Sequence, residues 1–195
     1  MTIMPGFIDA HRHFPTGGDD ISIRMQEFLD AGYTTLLHGG GQLPDIIDFK
    51  SRVESGEFNA PRILTSGRVN TAGNTPENAR REVQLMVDAG VQFIKSSIPN
   101  APSLMDIETL TSITDQARLL GIPTMIHAVT VPAMNVAVEA GVDKLVHTPH
   151  DSWLSPEDAR KVAQAGIETL STIGFAVPVF GVFNEDNIPT FREGS

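Results

Sequence analysis

The chain has 195 residues, a formal net charge of −10 and no cysteine. An acidic surface without a basic cluster excludes a phosphate-backbone partner such as nucleic acid. The missing thiols exclude disulfides, thiolate metal sites and a cysteine nucleophile, and they fit a cytoplasmic protein. The length allows one domain, residues 1–195, with a sizeable core. No apolar run approaches the ~20 residues that span a bilayer, and Met1–Met4 is too short for a signal peptide, so a soluble chain is expected.

The first element is Met4-Pro5-Gly6-Phe7-Ile8-Asp9-Ala10-His11-Arg12-His13-Phe14, an apolar opening that reads as a buried strand ending in two histidines. Side chains alternate across a strand, so His11 and His13 project to one side, where they could grip one metal ion, while Arg12 points the other way. After it, helical patterns end at glycine and lead into short apolar runs. Leu29–Gly32 leads to Thr34–His38, Val87–Gly90 to Val91–Lys95, Leu119–Gly121 to Thr124–His127, Val138–Gly141 to Lys144–His147, and Gln164–Gly166 to Glu168–Thr172. Each glycine suits the left-handed position that follows a helix.

Five or six residues beyond each glycine stands a polar residue at the strand's far end: His38, Lys95, His127, His147, and Ser171 or Thr172. The chemistry therefore gathers at one end of the strands. Thr75-Pro76-Glu77 and Ser155-Pro156-Glu157-Asp158 mark helix starts through a cap, a first-turn proline and first-turn acids. With the opening strand and Pro61–Thr65 there are seven strands separated by helices, which requires a parallel sheet. A (β/α)₈ TIM-type barrel suits this repeat better than an open sheet, which stays a possibility. A barrel gathers strand ends into one mouth, so the six histidines (His11, His13, His38, His127, His147 and His150) would converge on a volume able to hold one or two divalent cations.

These residues resemble a known family. Pro5–His13 looks like the first-strand signature of the amidohydrolase superfamily, and Asp30–Thr35 resembles its second-strand segment. Phe93–Lys95, Ile126–Ala128 and Leu145–His147 resemble the fourth, fifth and sixth strands. Ala60–Gly67 at the third strand places the likeness nearest the imidazolonepropionase and prolidase-like branch. The resemblance implies that His11 and His13 hold the more buried of two zinc-like ions, that His127 and His147 hold the second, and that Lys95, carboxylated by carbon dioxide, bridges them. It implies hydrolysis of a C–N bond in an amide, cyclic amide or dipeptide by metal-activated water, with a small molecule as the substrate and Lys95 and His147 at the centre of the chemistry. His38, His150 and Thr172 are weaker candidates for substrate contacts, and Asp9 is expected to orient a backbone or a histidine.

Two features depart from the family pattern. The family carries an aspartate at the end of an eighth strand, yet no eighth strand is legible here, and Glu185 and Asp186 are the only late acids near strand tops. The flanking β-sandwich of the family also lacks a counterpart. A chain truncated at both ends is expected, inactive by itself or dependent on association to cover its edge strands. Phe93-Ile94-Lys95-Ser96-Ser97 resembles as well the segment of deoxyribose-phosphate aldolase that bears the Schiff-base lysine, which leaves a lyase using Lys95 as the alternative.

Overall fold

The computed structural model describes residues 3–152 and 154–172. In chain order the elements are β1 (Phe7–Arg12), α1 (Ile21–Asp30), β2 (Tyr33–His38), α2 (Asp45–Glu54), β3 (Arg62–Leu64), β4 (Ser66–Arg68) and α3 (Pro76–Asp88). They continue with β5 (Phe93–Ser97), α4 (Leu104–Leu119), β6 (Thr124–His127), α5 (Val131–Glu139), β7 (Lys144–Val146), α6 (Pro156–Gln164) and β8 (Glu168–Leu170). Local chemistry sets the boundaries. Thr75 Oγ1 accepts from the Asn78 N–H at 3.2 Å to start α3, and Ser155 with Asp158 forms a reciprocal capping box at α6. The glycines of the repeat are left-handed as expected, with φ of 87° at Gly32 and Gly90 and 69° at Gly121, Gly141 and Gly166.

Every strand pairing is parallel, in two runs ordered β1-β2-β3 and β4-β5-β6-β7-β8. The strand expected at Pro61–Thr65 is corrected here. It is longer and broken, with β3 pairing to β2 and β4 pairing to β5 on either side of Thr65. The break has a cause in side-chain hydrogen bonding: the Thr65 N–H donates to the Gln92 side-chain amide oxygen at 3.1 Å, and its carbonyl accepts from the N–H groups of Gln92 and Phe93. One stretch of chain thus hands the sheet over, and an isolated bridge between Gly41 and Gly67 ties the two runs together. The strand expected at Ile167–Thr172 is β8, and the runs form a seven-position α/β array.

That array curls. In a flat sheet β1 and β7 would be five strand spacings apart, about 24 Å, but the rings of His11 and His147 at their ends are 5.3 Å apart between centroids. Inside the curl, Leu37, Met125 and Val146 pack as one cluster with Leu64, Phe93 and Leu170, drawing side chains from six different strands. Three further apolar clusters fill the space between the outer sheet face and the helices. Among the described residues β1 and β8 do not pair with each other, so the cylinder is not closed. The free edge at β1 leaves Phe7 and Ile8 largely exposed, and α6 buries no residue. No helix of the described residues is long and apolar enough to cross a membrane.

Candidate active site

The mouth of the curl is built by strand alternation. Ile63, Ile94 and Ile126 belong to the clusters beneath the helices, and a Cβ at Gly67 would run into Met86 of α3, so these positions face outward. Their neighbours Leu64, Phe93 and Met125 therefore face inward, and Arg68, Lys95 and His127 continue that inner face toward the strand ends. Register sets Arg68 beside Lys95 and Ser97 beside His127.

Four imidazoles meet above the inner apolar cluster. The ring of His11 lies 4.8 Å from His13 and 5.3 Å from His147, and His147 lies 4.5 Å from His127, each pair edge to face. Arg12 turns away, its guanidinium 5.2 Å above the Phe28 ring, as alternation predicts. His147 reaches the mouth differently. Val146 already faces inward, and a left-handed backbone at His147, φ 78°, turns the next side chain the same way. A non-glycine residue held there costs about 1–3 kcal/mol, a strain that clusters at functional sites. Thr172, also left-handed at φ 49°, places its Oγ1 2.5 Å from His147 Nδ1. With Nδ1 donating to that hydroxyl, Nε2 is left as the lone-pair donor.

The electrostatics follow from packing these groups together. Burial, and then the Lys95 ammonium and neighbouring imidazoles, lowers His11 to about 2. Burial followed by His127 and Lys95 lowers His147 to about 3, and burial followed by Lys95 and His13 lowers His127 to about 4. His13 is shifted the same way. Lys95, only 4 % exposed, is lowered to about 7 by burial and then by Arg68. At neutral pH the imidazoles are uncharged, the form a metal accepts. Lys95 Nζ and His11 Nδ1 are buried with no hydrogen-bond partner among the described residues. Such atoms carry a desolvation penalty unless something else satisfies them. Beside them is a cavity of about 310 Å³ lined by His13, Arg68, Asn70, Lys95, Ser96, Ser97 and His127.

Neutral imidazoles and an unpartnered buried amine fit a divalent-cation site in chemistry and in location. Among the described residues no three His, Asp or Glu donors already surround one point, so coordination requires small side-chain movements. Gly39 makes room for the cluster: a Cβ there would stand 2.7 Å from Cε1 of both His11 and His13. Gly39→Ala is therefore expected to displace both rings and weaken zinc binding by at least about tenfold, with the far-UV circular dichroism unchanged. Zinc titration of the two proteins measures it, and equal affinities would show that the rings are not held in place by this contact.

The other expected residues divide. His150 lies close enough to act electrostatically on His127 and His147. Asp9 Oδ1 accepts from the His11 N–H at 3.1 Å, the orienting role expected of it. His38 is buried, 6 % exposed, and packs against Phe14. Its Nε2 donates to the Phe14 carbonyl at 2.9 Å, and its ring stands 6.3 Å from His13, so it anchors the segment that carries His13. Glu185 and Asp186 lie outside the described residues. Arg68, Asn70 and Gly39 were not singled out from the sequence. Carrying the third strand on through Arg68 would have put Arg68 on the face of Leu64, with Asn70 next in that alternation.

No family model matches the chain, and no curated protein matches it in sequence. Solved structures do match. A protein from Bifidobacterium longum assigned as a prolidase is 24% identical, with 98% of this chain aligned to 51% of that one at a TM-score of 0.72. An amidohydrolase is 22% identical over 94% of this chain and 58% of its own, TM-score 0.69. The ochratoxinase of A. niger is 18% identical over 92% and 56%, TM-score 0.71. The chain spans a little over half the length of the solved structures it matches, and it shares their fold, that of amidohydrolases and prolidases.

Proposed function

We propose that this chain carries the metal-binding part of an amidohydrolase-type (β/α)₈ barrel that hydrolyses a C–N bond. The observation that carries the reading is the convergence of His11, His13, His127 and His147, from three strands far apart in sequence, around the unpartnered amine of Lys95. The curl of the sheet and its filled interior support the barrel, and the hydrolases among its structural relatives support the reaction class.

In this reading His11 and His13 hold one divalent ion, zinc being the natural match for imidazole donors, and His127 and His147 hold a second. When bound, such ions lower the pKa of water and polarise a carbonyl. The residues supply the rest. Thr172 holds the tautomer and direction of His147. Lys95 is uncharged often enough near pH 7 to attack carbon dioxide. The amine nitrogen bonds to carbon and releases a proton, giving a carbamate whose oxygens are anionic ligands. The apolar layer of Leu37, Met125 and Val146 keeps water from entering beneath the site.

Purified protein is expected to bind up to two zinc ions per chain, and removal of the metal with a chelator should remove hydrolysis of dipeptides and N-acyl amino acids. Metal-stripped protein with undiminished turnover would overturn the reading. A second reading, a Schiff-base lyase, draws on the same lowered amine of Lys95. Borohydride trapping of a carbonyl substrate on Lys95, in metal-free protein, would favour it over the hydrolase.

A further inference from the structure

The cavity beside the histidines contains an arginine that metal binding does not use. Arg68 ends β4 on the inner face, next to Lys95 by register, and is partly buried. Its side chain makes no hydrogen bond or ion pair among the described residues, and no carboxylate lines the cavity. Lys95 Nζ is buried without a partner as well. Two basic groups thus stand side by side with no counter-charge, a costly arrangement for both. One loop keeps them together: a Cβ at Gly40, just after β2, would stand 3.1 Å from Arg68 Nε and 3.0 Å from Lys95 Cγ. With no acid of the chain in reach, the anion that relieves this pair has to be made or brought there.

We propose that Arg68 is a positioning residue that holds a carbamate on Lys95, so that the lysine is carboxylated in this protein before any metal arrives, an assignment that rests on the hydrolase reading above. In the step, the lone pair of the neutral Lys95 nitrogen forms a bond to the carbon of carbon dioxide. One C–O π pair moves onto oxygen, and one N–H proton passes to water. The group beside Arg68 thereby changes from a second cation to an anion, and a like-charge pair becomes an ion pair. The planar guanidinium offers two N–H groups to the two carbamate oxygens, a two-pronged fit that a lysine at this position cannot copy. Each oxygen keeps a lone pair for an ion, and the contact fixes the direction in which it points, as hydrogen bonds to metal-ligating carboxylates do.

The test follows metal-free protein in isotopically labelled bicarbonate by carbon NMR at one fixed pH. Lys95→Met identifies the Lys95 carbamate as the resonance that the substitution removes. Wild type is expected to show that resonance without metal. Arg68→Met should lower its occupancy at subsaturating bicarbonate by about tenfold or more, the worth of one charge-assisted contact. Arg68→Lys should keep only part of it. Occupancy that is unchanged in either Arg68 variant overturns the assignment, and so does metal-free wild type from which Lys95→Met removes nothing. Wild type and Arg68→Lys decide the matter even where Arg68→Met does not fold. Repeating the spectra with zinc separates this assignment from the reading it rests on. A carbamate that appears only with zinc keeps Lys95 as a ligand and rejects Arg68 as its holder. A carbamate that depends on Arg68 in a protein that binds no zinc does the reverse, keeping the contact and rejecting the hydrolase.

Discussion

Lys95→Met is expected to lower hydrolysis by on the order of 10³-fold while making the metal-free protein more stable. The loss follows if Lys95 supplies a ligand to the ions, since their charge stabilisation of the transition state is worth several kcal/mol. The gain in stability follows from burial. In the fold the amine titrates at about 7, against an ordinary value of 10.5, and Nζ has no partner among the described residues. Between pH 7 and 10.5 the unfolded chain therefore holds a proton that the folded chain does not, so stability contributed by this residue rises with pH across that window. Below pH 7 both states are protonated and the full penalty applies, about 3–5 kcal/mol at 1.36 kcal/mol per pKa unit. Methionine has similar length and no charge, so the variant should melt higher by roughly ten degrees at pH 7 and lose most of that advantage near pH 10. Thermal melts at the two pH values check it. A variant that melts lower at pH 7 would show that the amine has a partner, and would undermine its role as an open ligand.

Acid should unfold the metal-free protein early. His11, His147 and His127 titrate in the fold at about 2, 3 and 4, against an ordinary 6.5, because they are buried and crowded by one another and by Lys95. Their contribution to stability is complete above pH 6.5. It erodes as the pH falls toward 4 and below, where the unfolded chain takes up protons that the folded chain refuses. With up to three such protons the decline approaches about 4 kcal/mol per pH unit at its steepest. Denaturant titrations between pH 4 and 7 measure the slope. His127→Asn combined with His147→Asn should reduce the slope by about two protons, and saturating zinc should move the onset to lower pH by holding the imidazoles neutral. A wild-type curve that is flat over this range would mean that the rings are freely solvated and the cluster is not assembled.

Much of this architecture is legible because the devices that build it are local. Gly32 and Gly141 are readable as helix ends since only glycine rests easily there, and Ser155-Pro156-Glu157-Asp158 announces its helix through its own hydrogen bonds. His11 and His13 are readable because spacing by two needs only one strand. What escaped depends on distant partners. Thr65 breaks its strand through the side chain of Gln92, 27 residues away, and with the strand's end misplaced Arg68 was lost from the inner face. In parallel strands both faces are apolar, so pattern alone does not say that Leu37 points inward and His38 outward. His147 enters the mouth by a left-handed turn that nothing in Leu145-Val146-His147 foretells.

The packed interior beneath the histidines has a further consequence for traffic. Leu37, Met125, Val146 and their neighbours act as a stopper, so the cavity beside the histidines is backed by packed side chains on the side away from the strand tips. On the hydrolase reading, substrate and both products would have to pass on the strand-tip side of that layer.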